Sequence, residues 1–372
     1  MTNALRAAAA MTVGGAEAKV WGMTPQARLE RTFRRLGLAV AAPGRMPTEG
    51  TVVLAHAGWV FDEALIRALS ARPGAVLVDD AGRPVAAHAT RAEAEAAAAR
   101  LLAGELAPGS EPLTAMQLQG AYNDALRKRE PPVLERLTAG NIRQVEKRLF
   151  QGSYKGVTDL VTKYLWPVPA RVVTRWCALT GITPNQVTSA SLALVLVALY
   201  LFWRGEFGWG LVAAWTMTFL DTVDGKLARV TLNSSPLGNV FDHGIDLVHP
   251  PFWWAAWVIG VQAGPHPLPH ADLILWVVIA GYVVQRVLEG IFLAAFKVEM
   301  HAWRRFDSVF RLITARRNPN LILLTAATLA GRPDLGMIAV AAWTAASLLV
   351  HAIQVLQAAA APRGTVVSWL SR

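Results

Sequence analysis

Two hydrophobic rhythms divide the chain. Beyond about residue 185 the apolar residues run in long blocks, while before it short apolar runs alternate with charged or Ala-rich stretches. Six apolar segments stand out, at about Val187–Trp203, Trp209–Leu220, Leu247–Val261, Leu273–Phe296, Leu321–Leu329 and Met337–Val355. A bilayer core about 30 Å thick takes about 20 helical residues to cross. Several segments are shorter, and reach that length by running into the amphipathic turns beside them. Phe202, Trp203, Trp209 and the cluster Trp253, Trp254 and Trp257 are expected at interfaces or on lipid-facing surfaces.

The first part has another pattern. Met11-Thr-Val before Gly14-Gly15, Thr51–His56 and Ala75–Asp79 read as strands, and a further strand follows the Asp80–Pro84 turn as far as about His88. Thr24-Pro25 reads as N-cap and first helical position of an Arg-rich helix to about Leu38. Helices are also expected over Asp62–Ser70 and Thr90–Leu102. Alternating strands and helices suggest a small α/β layer. Ala107–Pro112 reads as a linker, and Tyr122–Gln151 as charged and helical. Lys155–Trp176 is amphipathic, with Leu160, Val161, Tyr164, Leu165 and Trp166 set among Lys155, Lys163, Arg171 and Arg175, a pattern suited to a membrane interface. The expected fold is mainly α: a polytopic membrane protein with six transmembrane helices, preceded by a small soluble α/β domain. The expected domains are 1–110 (soluble), 111–184 (linker and interfacial helices) and 185–360 (membrane).

Charge adds orientation. The chain of 372 residues carries a net +10, which for a protein with membrane spans points to anionic lipid and phosphorylated substrates rather than nucleic acid. Lys297, Arg304, Arg305, Arg311, Arg316 and Arg317 lie between the fourth and fifth segments, whereas the loops Gly205–Gly208 and Ala263–Asp272 carry few basic residues. The positive-inside rule then puts both termini and the segment around Asp221 in the cytoplasm. Met1–Ala10 lacks an adequate apolar core for a cleavable signal peptide. Cys177 is the only cysteine, which excludes an intrachain disulfide or a thiolate metal site.

Chemistry is concentrated between the second and third segments. The chain there reads Asp221-Thr-Val-Asp224-Gly225-Lys226-Leu-Ala228-Arg229, then eight residues, then Gly238-Asn-Val-Phe-Asp242-His-Gly-Ile-Asp246. On a helix Asp221, Asp224, Gly225 and Ala228 share one face, and Asp242 and Asp246 stack one turn apart on a second helix. A single Asp at the centre of a membrane helix costs about 2.5–3.5 kcal/mol on insertion scales. Four together would repel unless cations lay between them. Hard oxygen ligands suit Mg²⁺ or Mn²⁺, and such a cluster can hold two ions about 3.5–4 Å apart. Small residues on the same face leave room for a phosphate or pyrophosphate ligand. A buried ion-pair network, or the proton relay of an ion-coupled transporter, is the competing reading, but it needs neither the glycines nor this spacing.

The string D-x2-D-G-x2-A-R-x8-G-x3-D-x3-D resembles the signature of the CDP-alcohol phosphotransferases, with every position filled. That resemblance implies transfer of a substituted phosphate from a CDP-alcohol to an acceptor hydroxyl, with release of CMP. It implies Asp221, Asp224 and Asp242 as metal ligands, and Asp246 as both a ligand of the second metal and the general base. It implies Gly225, Ala228, Arg229 and Gly238 as nucleotide contacts, joined by Asn185 of the Thr183-Pro184-Asn185 entry to the first span. Lys226 with Arg304, Arg311, Arg316 and Arg317 is the expected acceptor or phosphate pocket; a positive-inside loop touching anionic headgroups explains the arginines equally. Arg286 and Glu289, one turn apart, read as an intramembrane ion pair or as part of that pocket. The implied partners are a CDP-alcohol donor such as CDP-diacylglycerol, a polar alcohol or phosphorylated acceptor, the lipid bilayer, and a second copy of the chain. In a bacterium the location would be the inner membrane. The first 110 residues faintly resemble nucleotidyltransferases, through Gly14-Gly15-Ala16, Thr24-Pro25 and Val52–Val60, with Gly58 where a metal-binding Asp is expected. Fusion of such a domain is similar to the di-myo-inositol phosphate phosphate synthases, which gives a soluble CDP-inositol donor as the alternative.

Overall fold

The computed structural model describes residues 7–41, 50–234, 236–362 and 364–371; at 236, 237, 239, 240, 242 and 243 it describes the backbone alone. The chain falls into two units, Met1–Tyr154 with Arg229–Leu232, and Lys155–Ala228 with Asn233–Arg372. The boundary expected near residue 110 lies inside the first.

The first unit is built on a six-stranded mixed sheet in the order β2-β1-β3-β6-β5-β7. Its elements are β1 (Ala9–Val13), α1 (Pro25–Arg35), β2 (Ala39–Val40), β3 (Thr51–His56), β4 (Trp59–Phe61), α2 (Glu63–Ser70), β5 (Ala75–Val78), β6 (Pro84–Thr90), α3 (Ala94–Ala103), β7 (Glu111–Thr114) and α4 (Ala115–Gln119). β1 runs parallel to β2 and β3, β6 runs antiparallel to β3 and β5, and β7 pairs parallel with β5. Period-two alternation fills both faces. Val53 and Ala55 pack with Leu29 and Phe33 of α1 and Leu65, Ile66 and Leu69 of α2. Val52 and Leu54 pack on the other face with Ala94 and Leu101 of α3. Thr24 caps α1 as expected, its hydroxyl accepting from the Ala27 amide ahead of Pro25. Part of the expected linker is strand: Glu111-Pro-Leu-Thr forms the sheet edge. Beyond it lie the short pair β8 (Tyr122–Asn123) and β9 (Lys128–Arg129), β10 (Leu134–Arg136) against β4, and α5 (Ile142–Gly152).

The second unit is helical: α6 (Pro167–Thr180), α7 (Pro184–Trp203), α8 (Phe207–Val230), α9 (Pro236–Gln262), α10 (Ala271–Phe296), α11 (Arg305–Phe310), α12 (Arg317–Leu329) and α13 (Pro333–Ala360). Each of the six apolar segments is helix. Among the described residues, though, three helices are long and apolar enough by length and composition to cross a membrane, α7, α10 and α13, so six spans are not shown. Charged motif residues interrupt α8 and α9, and α12 has 13 residues, a length of about 20 Å. α6 exposes Val168, Val172, Trp176 and Leu179 along one face, the stripe expected of an interfacial helix.

Close helix packing depends on glycines at several points. A Cβ on Gly260 of α9 would stand 2.1 Å from the Phe202 carbonyl oxygen of α7, and one on Gly281 of α10 would meet Thr344 of α13 at 2.6 Å. Such sites admit no side chain. The tryptophan cluster corrects the expectation for it. Trp253, Trp254 and Trp257 are buried in the helical core with Phe202. The Trp253 indole donates to the Val195 carbonyl oxygen at 3.0 Å and that of Trp257 to Pro333 at 3.1 Å. Indoles with their N–H satisfied can be buried like any large apolar group. Trp203 and Trp209 are exposed, as expected.

A buried histidine makes the first unit sensitive to pH. His88 donates from Nδ1 to the Leu69 carbonyl oxygen at 2.9 Å, and its Nε2 accepts from the Thr51 hydroxyl at 2.8 Å. Burial lowers its pKa below the usual histidine value, and burial lowers that of His56 also. Below about pH 6.5 the unfolded chain takes up protons that the folded rings refuse, so stability falls as pH drops. The slope is up to about 1.4 kcal/mol per pH unit for each ring. Hydrogen exchange of β3 and β6 peptides, corrected for intrinsic rates, should show falling protection from pH 7.5 to 5.5, and His88→Gln should flatten that trend.

Candidate active site

The carboxylates meet at a guanidinium. Asp221 stands on α8 and Asp246 on α9, and Arg317, the first residue of α12, reaches both. Its Nη2 lies 2.5 Å from Asp221 Oδ2, and its Nη1 donates to Asp246 Oδ1. The three side chains are 15, 18 and 41 % exposed for Arg317, Asp221 and Asp246, so the pairing is only partly open to solvent. A planar fork suits two carboxylates at once. Each acidic group comes from its own helix, and the shared cation brings the two helix faces together.

Asp224 is buried one turn further along α8, where its Oδ2 accepts from the Thr188 hydroxyl of α7 at 2.7 Å. Thr188 also lies 3.0 Å from the Pro184 carbonyl oxygen in the first turn of α7. Thr183 and Gln186 form a capping box that fixes that turn. The hydroxyl thus orients a carboxylate from a neighbouring helix. Sequence reasoning missed Thr188, because a threonine one turn into an apolar helix gives no signal by itself. It also missed His249 of α9, which is buried, bonded through Nδ1 to the Ile245 carbonyl oxygen, and within electrostatic reach of Asp221 and Arg317. Asp242 lies on α9 one turn before Asp246, and its side chain is outside the described residues.

α9 is unusual just past Asp246, because Pro250 and Pro251 lie inside it. Prolines at these positions cannot donate to the carbonyls of Asp246 and Leu247. The Tyr282 hydroxyl of α10 donates to the Leu247 carbonyl oxygen at 3.0 Å and restores one of the two bonds.

Gly225 and Ala228 are half-buried on α8, Gly238 is half-buried in the first turn of α9, and Lys226 is buried. Asn185 is exposed in the first turn of α7, with its carbonyl oxygen accepting from the Ser189 hydroxyl. Arg229 groups with the first unit, where it donates to the Ser153 carbonyl oxygen at 3.4 Å.

The four arginines expected in one pocket have different partners. Arg304 holds Asp307 through two nitrogens at 3.0 and 2.9 Å and Gln357 through a third at 2.7 Å. Its fork holds a buried carboxylate at the start of α11. Arg311 acts electrostatically on Asp159, which also accepts from Asn318 at 3.0 Å. Arg316 lies 2.5 Å from Glu289, and Arg317 joins the carboxylates of α8 and α9. Arg286 and Glu289 form the expected ion pair at 3.0 Å.

Comparison with known proteins agrees with this location. Residues 181–317 match the family model described as CDP-alcohol phosphatidyltransferase, from the turn before α7 to Arg317 itself. The chain is 29 % identical over 144 residues to cholinephosphotransferase 1 of Mus musculus, covering 36 % of this chain and 35 % of that protein. It is 33 % identical over 138 residues to cholinephosphotransferase 1 of Gallus gallus, covering 32 % of this chain and 39 % of that protein. It is 33 % identical over 93 residues to phosphatidylinositol phosphate synthase of Streptomyces avermitilis, covering 24 % and 38 %. The match to these relatives thus spans 35 to 39 % of their own lengths. The helices that bear Asp221, Asp224, Asp242 and Asp246 therefore lie within the stretch, residues 181–317, that matches the CDP-alcohol phosphatidyltransferase family model.

Proposed function

We propose that the second unit transfers a substituted phosphate from a CDP-alcohol to an acceptor hydroxyl, in phospholipid or inositol-phosphate-lipid synthesis. The observation that carries this reading is the meeting of Asp221 and Asp246, from two helices, at one cationic centre. An all-carboxylate donor set around a site that already takes one positive group fits Mg²⁺ or Mn²⁺. Asp221, Asp224, Asp242 and Asp246 would hold two such ions. When bound, the ions would neutralise the pyrophosphate and the charge that develops on the transferred phosphoryl and on CMP.

The chain's own residues do the remaining work. Asp246 takes the proton of the acceptor hydroxyl, whose oxygen bonds to the phosphorus distal to cytidine. The bond from that phosphorus to the bridging oxygen breaks, and CMP leaves with its electron pair. Thr188 keeps the Asp224 carboxylate aimed, by the 2.7 Å bond between them. Gly225, Ala228 and Gly238 leave space for the nucleotide, and Arg229 and Asn185 are polar groups within reach of its edge. Arg311, Arg316 and Lys226 supply positive charge for the acceptor. Arg317 supplies one positive charge where a divalent cation would lie between the carboxylates. The basic loop around Arg304–Arg317 favours a cytoplasmic site.

The names of the relatives favour a lipid product over soluble CDP-inositol chemistry. The first unit we read as a degenerate nucleotidyltransferase. Gly58 takes the place of the expected metal-binding Asp, and a Cβ there would stand 2.9 Å from the His56 ring, so the space is filled.

Two outcomes test this reading. With Mg²⁺ and a panel of CDP-alcohols and acceptors, the purified chain should release CMP. Asp246→Asn should lower the rate by about 10²–10⁴-fold, the usual worth of a general base, and full activity in that variant would exclude the role. In Arg317→Gln, loss of the shared cation should destabilise the Mg²⁺-free protein by up to about 3 kcal/mol, less than a fully buried pair because Asp246 is 41 % exposed. Added Mg²⁺ should restore most of the lost thermal stability. A deficit that ignores Mg²⁺ would show that ions and guanidinium do not share the site.

A further inference from the structure

A second group of metal-ligating side chains lies outside the carboxylate site. Glu289 of α10, His301 of the turn Met300–Ala302 and His351 of α13 each offer one ligand atom, and these atoms lie within 4.8 Å of one another. His301 Nε2 is 3.3 Å from Glu289 Oε1, and His351 Nδ1 is 3.9 Å from the same oxygen. Both rings are buried, that of His351 completely. Among the described residues neither ring nitrogen of His351 has a hydrogen-bond partner, and Nδ1 of His301 has none. A buried imidazole with nothing to bond is costly, and native proteins seldom keep one without a ligand, ion or water. Pairing Glu289 with Arg286 and Arg316 explains the carboxylate. It leaves His351 unexplained.

We propose that Glu289, His301 and His351 bind a divalent transition metal of the Zn²⁺ type, independently of the transfer reaction. Two imidazoles and one carboxylate form a softer donor set than the aspartates of α8 and α9, so the two sites select different ions. Arg316 donates to Glu289 Oε2 at 2.5 Å, which leaves Oε1 on the side of the histidines. A ligating carboxylate commonly has its other oxygen held in this way. Arg286 shares Oε1 at 3.0 Å, and Arg316 also lies 3.3 Å from His301 Nε2, so both positive charges weaken the site. Metal binding ties α10, the turn after it and α13 at one point.

The test uses the untagged full-length chain in detergent, stripped with chelator and titrated with Co²⁺ under excess Mg²⁺. One Co²⁺ per chain should bind, with the visible absorption of a low-coordinate nitrogen and oxygen site. His351→Asn and Glu289→Gln should each weaken binding at least about tenfold, the lower end of what even outer-shell partners cost. Arg286→Gln should tighten it by removing a competing charge, and Asp221→Asn should leave it unchanged. If His351→Asn does not fold, His301→Gln carries the same expectation. Absence of stoichiometric Co²⁺ or Zn²⁺ binding, or binding lost in Asp221→Asn and kept in His351→Asn, would overturn the proposal.

Discussion

Carboxylates on two neighbouring apolar helices repel, and only a positive charge between them makes their approach favourable. Arg317 supplies that charge for Asp221 and Asp246. At close range and reduced dielectric the attraction is several times its value in water, and so is the penalty for leaving either partner alone. The start of α12 and the facing sides of α8 and α9 are therefore held to one arrangement. The same demand for countercharge recurs nearby, where Glu289 takes Arg286 and Arg316 and Asp307 takes Arg304. Arg304 and Arg316 of the basic loop thus each meet a particular acid.

A guanidinium and a divalent ion satisfy such acids differently. Arginine brings one charge, a long stem and a planar fork; Mg²⁺ brings two charges and wants ordered oxygen ligands. A side chain on the first turn of a helix can withdraw by rotation about its own bonds, without repacking the bundle. Asp224 does not depend on such a swing, because its partner is the neutral Thr188 hydroxyl on α7. One carboxylate of the α8 face is thus held by a neutral hydroxyl, while the other shares a cation with α9.

Much of this was legible in the chain. Residues spaced 221, 224, 225 and 228 share a helix face by geometry alone, and the stretch from Thr183 to Asn185 carries its own start signal. In the first unit, the caps and short apolar runs located α1, α2, β3, β5 and β6. What failed was whatever depends on distant residues. The Trp253–Trp257 cluster reads like an interfacial girdle, yet its indoles find carbonyls on α7 and at the start of α13, which no local pattern encodes. A row of arginines in a loop does not reveal its acidic partners, which lie from three to about a hundred and fifty residues away. Glu111-Pro-Leu-Thr reads as linker because edge strands need only one neighbour. His301 and His351 are fifty residues apart, and only the packing of α10 and α13 brings them together.

The prolines of α9 show how the fold can keep a carboxylate adjustable inside an otherwise stiff bundle. A helix through apolar surroundings normally satisfies every backbone group internally. Pro250 and Pro251 remove two of those bonds, at the carbonyls of Asp246 and Leu247, and so loosen the helix beside the carboxylate that meets Arg317. Tyr282 compensates at Leu247 from α10. On the proposed reading, a base that exchanges a guanidinium for ions would need some play in its backbone. Proline supplies that play without the entropy cost of a glycine in mid-helix, and the tyrosine limits it to one side of the turn.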